Sequence, residues 1–120
     1  MLTAREIDRL IERIVASTQP VEVIIFGSYA KGCATIRSDL DILVIKETEL
    51  PMSLRADDLK PMLSGILIPV DVHIYTPEEI EVYAAEEFSF IDSIVKSGKT
   101  VFSDGRYSSV YPNSGVTAEE

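Results

Sequence analysis

Val21-Glu22-Val23-Ile24-Ile25-Phe26-Gly27-Ser28-Tyr29-Ala30-Lys31, followed after Ser28 and ten intervening residues by Asp39-Leu40-Asp41-Ile42-Leu43-Val44-Ile45, decides how this chain is read. The β-branched and aromatic run up to Phe26 reads as a strand that stops at glycine. Gly27 has access to backbone angles closed to other residues and lets ligand oxygens come close to the main chain. Ser28 adds a hydroxyl. Tyr29-Ala30-Lys31 reads as the first turn of a short helix, whose free N–H groups and positive dipole end favour an anion. Strand, glycine turn and helix start together predict a cradle for phosphate.

Asp39 and Asp41 open the next apolar run and are placed at the beginning of a second strand. Side chains at i and i+2 of a strand share a face roughly 7 Å apart, so both carboxylates can reach one pair of divalent ions. Two ions ~4 Å apart in a phosphoryl-transfer site call for a further carboxylate. Asp71 is the candidate, inside Ile68-Pro69-Val70-Asp71-Val72-His73-Ile74-Tyr75. An acidic residue in an apolar strand is costly unless paired or metal-bound.

Composition sets the outer limits. The chain has 120 residues, enough for one domain with a core and too few for a second substrate-binding domain. With 46% hydrophobic and 26% charged residues, it reads as an ordinary globule rather than a disordered chain. Its net charge of −9 argues against a nucleic-acid surface, because no basic stripe is present to meet phosphates. The single Cys33 excludes an internal disulfide and fits a reducing cytoplasm. No signal peptide or membrane-spanning run is visible, so a cytoplasmic location is expected.

Local signals supply the remaining elements. Thr3 with Glu6 forms a capping-box pattern ahead of Ile7, Leu10, Ile11, Ile14 and Val15, which predicts an amphipathic helix over residues 4 to 17. Residues 46 to 51 read as a loop, and 53 to 64 as helical with an interruption at Pro61. Thr76-Pro77-Glu78-Glu79 is a second capping signature, starting a helix to about residue 85. Phe88, Ile91, Ile94 and Val95 mark another that ends at Gly98, and residues 99 to 102 fit a short edge strand. From Ser103 onward no apolar period remains, so a domain over residues 1–102 and a flexible tail over 103–120 are expected. The element order gives an α/β fold, a small mixed β-sheet flanked by α-helices, with the three aspartates on neighbouring central strands.

Gly27-Ser28, the ten-residue gap, Asp39-Leu40-Asp41 and the later Asp71 together resemble the DNA polymerase β-type nucleotidyltransferase superfamily. The resemblance is closest to its small stand-alone members, the minimal nucleotidyltransferases, and covers residues 3 to 102. Many relatives carry arginine where this chain has Lys31; lysine keeps the charge without the bidentate fork. The resemblance implies a nucleotidyltransferase fold. It implies Asp39, Asp41 and Asp71 as catalytic and metal-binding residues for two Mg2+ ions, with Mn2+ as a substitute. Gly27, Ser28 and Lys31 would then bind the phosphates of a nucleoside triphosphate, ATP being the expected donor. It further implies an antitoxin partnered with a HEPN ribonuclease toxin, which such proteins bind and in some cases adenylylate.

Plainer readings stand beside these. Asp39 could cap a turn, Asp41 could be a solvated strand residue, Asp71 could face water on an edge strand, and Lys31 could be an exposed helix-end cation. His73 shares a face with Asp71, yet a lone histidine is more often structural. Three functions remain open: transfer to a protein partner, a non-catalytic binding module, and transfer to a small-molecule hydroxyl.

Overall fold

The computed structural model describes residues 2–66, 68–87 and 89–104. Phe88 lies outside the described residues, as do residues 105–120 of the tail expected over 103–120; Ser103, expected to open that tail, closes β4 instead. Helix α1 (Ala4–Thr18) is followed by β1 (Glu22–Phe26), the single turn α2 (Ser28–Lys31) and β2 (Leu40–Ile45). After two 3-10 turns come α3 (Lys60–Leu63), β3 (Val70–Tyr75), α4 (Pro77–Ala84), α5 (Phe90–Ser97) and β4 (Lys99–Ser103). Both capping boxes form: the Thr3 hydroxyl accepts from Glu6 N at 3.1 Å, and the Thr76 hydroxyl from Glu79 N at 3.1 Å.

The four strands form one sheet in the order β3-β2-β1-β4. β1 runs antiparallel to β2 and β4, whereas β2 and β3 are parallel, so the sheet is mixed as the sequence predicts. Residues opposite one another across a ladder share a face, which sorts the core into two layers. On one side Val23, Ile25, Ile42, Val44 and Ile74 pack under Leu10, Ile11 and Ile14 of α1, with Leu59. On the other, Ile24, Leu43 and Ile45 pack under Ile80 of α4 and Ile91 and Ile94 of α5. A strand covered on both faces has no solvated side to alternate toward, which is why residues 42 to 45 are apolar without a break. Each fully buried Ile or Leu stabilises the fold by roughly 1.5–3 kcal/mol relative to exposure.

Three further expectations change. The segment before β3 is not one broken helix; it consists of the turns Met52–Leu54 and Asp57–Leu59, then the short α3. Pro61 lies in the first turn of α3, where its missing N–H has no helical partner to lose. Asp71 belongs to an edge strand rather than a central one and is exposed, so no burial cost demands its compensation. Asp39 precedes β2 instead of lying within it.

Arg55 organises the long connection into β3. Its guanidinium donates to both Glu79 oxygens at 2.7 and 3.0 Å, to Ile74 O at 3.2 Å and, through Nε, to Leu50 O at 2.8 Å. The bidentate geometry gives the pair both direction and strength. Hydrogen bonding to Arg55 holds the Glu79 carboxyl below its usual range, and the same bond raises the guanidinium. The loop after β2, the end of β3 and the start of α4 are thereby tied together. No helix among the described residues is long and apolar enough to cross a membrane.

One buried group opposes folding at neutral pH. Glu22 is 1% exposed, its Oε2 accepts from the Thr100 hydroxyl at 3.2 Å, and its Oε1 has no hydrogen-bond partner among the described residues. Burial is the main cause that pushes its carboxyl up to about 7, from an ordinary 4.5. Below pH 4.5 the group is neutral in both folded and unfolded chains. Between 4.5 and 7 only the unfolded chain gives up the proton, so stability falls as pH rises, by about 3 kcal/mol in all. Denaturant titrations of the parent and of Glu22→Gln across pH 4 to 8 should therefore diverge by that order, the variant gaining at high pH; parallel profiles would contradict the assignment.

Candidate active site

The candidate site forms where β1 ends and β2 and β3 begin. Antiparallel pairing sets Phe26 opposite Asp41, and parallel pairing sets Asp41 opposite Asp71. Leu40 N donates to Pro69 O at 3.0 Å, which locks the starts of β2 and β3 together and fixes this register. Phe26, Asp41 and Asp71 thus stand in one row across three adjacent strands, and Gly27 follows directly after the β1 member of that row. A register slip of one residue would turn either carboxylate into the opposite face.

Gly27 has φ +77° and ψ −153°, a conformation that suits only glycine. A Cβ placed there would lie 2.5 Å from Asp41 Oδ2. The glycine therefore serves twice, as the turn into α2 and as the hollow against which the Asp41 carboxylate rests. Ser28 opens α2, Lys31 N donates to Gly27 O at 3.1 Å, and Gly32 closes the turn at φ +74°. Lys31 is exposed at the C-terminal end of this turn, a place where a cation suits the helix dipole. The Tyr29 hydroxyl accepts from Leu2 N at 3.1 Å and ties α2 to the start of α1.

Asp39 is delivered by the turn over residues 35 to 38, in which Thr35 N donates to the Ser38 hydroxyl at 2.8 Å and Ser38 N to Thr35 O at 3.0 Å. Burial raises the Asp41 carboxyl above its ordinary range, and the charges of Asp71 and then Asp39 raise it further, while His73 opposes them. Asp41 therefore feels both of the other carboxylates. Among the described residues, however, no three acidic, imidazole or thiol groups stand close enough to form a ready-made cation cage.

The donor set nonetheless fits a divalent cation. Carboxylate oxygens are the hard ligands that Mg2+ takes, and Mg2+ commonly accepts one or two carboxylates and completes its shell with water and substrate phosphate. The uncompensated negative charge that raises Asp41 is the field a cation would relieve.

The sequence reading gave no role to the aromatic residues beside this row. Phe26, His73 and Phe90 meet on the carboxylate face, with ring centroids 5.9 Å apart for Phe26–His73, 5.6 Å for Phe26–Phe90 and 5.2 Å for His73–Phe90. Phe26 and Asp41 are register partners, so the pattern of β1 and β2 could have signalled their proximity. Nothing local to Phe90 announces the contact. Two cavities of about 410 and 470 Å3 lie along α1, and neither is lined by Asp39, Asp41 or Asp71.

Comparison with known proteins bears on the family and the fold. The family model described as a nucleotidyltransferase domain matches residues 7–101. No curated protein matches. Among solved structures, a toxin–antitoxin complex with AMP-PNP is similar at 19% identity and a TM-score of 0.57, over 82% of this chain and 73% of that one. A candidate nucleotidyltransferase from Sulfolobus solfataricus is 24% identical with a TM-score of 0.51, over 83% and 79%. A mutant of the toxin–antitoxin pair MntA–HpeT is 19% identical with a TM-score of 0.56, over 98% and 85%. At these identities the likeness is one of fold, here the nucleotidyltransferase fold with a mixed four-stranded sheet.

The Gly27–Asp41 contact and the crowded charges make a joint prediction. In chelator, Asp41→Asn should melt at or above the parent temperature, because it removes a desolvated charge facing two others. Gly27→Ala should lose roughly 1–3 kcal/mol from the positive φ and the Cβ clash. Adding Asp41→Ala to Gly27→Ala should recover the clash share of that loss, and thermal melts showing strict additivity would contradict the contact.

Proposed function

This chain belongs to the nucleotidyltransferase domain family, and from that premise we propose that it transfers AMP from ATP to a hydroxyl of a partner protein, as the antitoxin of a HEPN ribonuclease toxin. The observation that carries this reading is the Gly27 turn set against Asp41, which is itself the register partner of Asp71: a glycine turn beside paired carboxylates. The toxin–antitoxin neighbours, one of them with AMP-PNP, support the nucleotide and the protein partner. The acidic surface supports the reading that the acceptor is not nucleic acid.

Gly27 and Ser28 hold the β and γ phosphates, with Lys31 as a further counter-charge. Asp39, Asp41 and Asp71 are the residues that would hold Mg2+, two ions in all, with Mn2+ able to substitute. When bound, such ions neutralise phosphate charge and lower the pKa of the acceptor hydroxyl. Asp71, exposed on the edge strand, stands open to the acceptor and is placed to take the hydroxyl proton. The hydroxyl oxygen bonds to the α-phosphorus as the bond to the bridging oxygen breaks, and pyrophosphate leaves. The charge on Asp41 is raised in cost by its neighbours, so binding energy from cation and phosphate offsets repulsion already present.

Incubation of the purified chain with its partner, ATP and Mg2+ tests the reading by mass spectrometry of the intact partner. One hydroxyl side chain should gain about 329 Da, the increment of displacement at the α-phosphorus. The gain should vanish with Asp41→Asn. A partner that binds tightly yet keeps its mass would replace transfer by inhibition through the surface alone.

A further inference from the structure

We infer that the aromatic wall of Phe26, His73 and Phe90 seats the base of the nucleotide, an assignment that rests on the triphosphate-binding reading above. The wall lies on the same face as Asp41 and Asp71: Phe26 is the register partner of Asp41, and His73 follows Asp71 by two residues. That i to i+2 step is roughly 7 Å along the strand. It is about the distance that a ribose spans between an α-phosphorus and the base it carries.

Direction favours the base over the other groups in the reaction. The phosphate turn closes β1 at Gly27, and the open carboxylate Asp71 lies on β3, so the line from leaving group to acceptor runs across the strands. The nucleoside is bonded to the same phosphorus off that line. Along the strands from Asp41 the next residue on this face is Leu43, which is fully buried and is the register partner of His73, and Phe26 packs against the same cluster. A group leaving the phosphorus in that direction meets ring surface.

The chemistry of the wall fits a flat π-system. The rings are inclined by 45°, 81° and 63° to one another, so they form a continuous apolar corner rather than a closed stack. Phe90 is 44% exposed at the start of α5, held there by the Ser89 cap whose hydroxyl accepts from Asp92 N at 3.0 Å. A base laid against it would cover that ring. His73 is the one member of the wall with hydrogen-bonding atoms, so recognition is by stacking more than by edge pairing. The consequence is weak base discrimination, with larger purines held more tightly than pyrimidines.

Calorimetric titration separates this from the parent reading. Parent, Phe90→Ala and Phe90→Leu are titrated with ATP, CTP and inorganic tripolyphosphate in the presence of Mg2+, after circular dichroism confirms that each is folded. Phe90→Ala should weaken ATP by roughly tenfold and leave tripolyphosphate unchanged, since only the base is lost from contact. Phe90→Leu should recover little of the ATP affinity, and the parent should hold ATP more tightly than CTP. Equal weakening of ATP and tripolyphosphate would make Phe90 a merely structural residue and overturn the assignment, as would an unchanged ATP affinity. If the parent bound neither ATP nor tripolyphosphate, the nucleotide reading itself would fall, and this inference with it.

Discussion

The register between β2 and β3 is the constraint on which the rest of the molecule depends. Pairing Asp41 with Asp71 puts two carboxylates at one height on one face, and the antiparallel step to β1 puts Phe26 and the Gly27 turn beside them. The hydrogen bond from Leu40 N to Pro69 O sets where this pairing starts. Buried side chains hold it: Leu40, Ile42 and Val44 point into the layer beneath α1, and Leu43 and Ile45 into the layer beneath α4 and α5. A slip of one residue would exchange the side chains of the two layers and turn Asp41 into the layer beneath α1, so packing on both faces holds the carboxylate in place.

The arrangement stores unfavourable interactions where chemistry is proposed. Gly27 occupies a backbone region closed to other residues, and Asp41 is pushed toward protonation by burial and by Asp71 and Asp39. Such features survive because the sheet around them is over-determined. Glu22 shows that burial alone is not enough to mark the site: its carboxyl is shifted furthest, yet it pairs with Ile45 and Ser103 at the opposite end of β1. Both carboxyls feel a like charge, Asp104 in the case of Glu22; what separates them is that Asp41 meets two, Asp71 and Asp39, beside the Gly27 turn, whereas Glu22 is 1% exposed.

The parts of the fold legible in the sequence were those whose signal is local. Thr3 with Glu6, Thr76 with Glu79, and Gly27 after a β-branched run each carry backbone chemistry within a few residues, and all three form as predicted. Asp39, Asp41 and Asp71 were legible as a pattern, but their setting was not. Sheet order is decided by pairings between distant segments, and it puts Asp71 on an exposed edge where a central strand was expected. The region read as an interrupted helix over 53 to 64 instead forms two 3-10 turns and the short α3, and its Arg55 is tied to Glu79, a pairing between residues far apart in the chain that local spacing does not signal. The Phe26–His73–Phe90 wall was invisible for the same reason.

In the function proposed here, Asp39, Asp41 and Asp71 jointly draw divalent cations against the phosphates of a nucleotide held at Gly27. Electron paramagnetic resonance of Mn2+ added to the chain with a non-hydrolysable ATP analogue tests this directly. Two magnetically coupled ions per chain, ~4 Å apart, are expected, with one of the two lost in Asp71→Asn. A spectrum showing only the ion carried by the free nucleotide, unaltered by the protein, would contradict it.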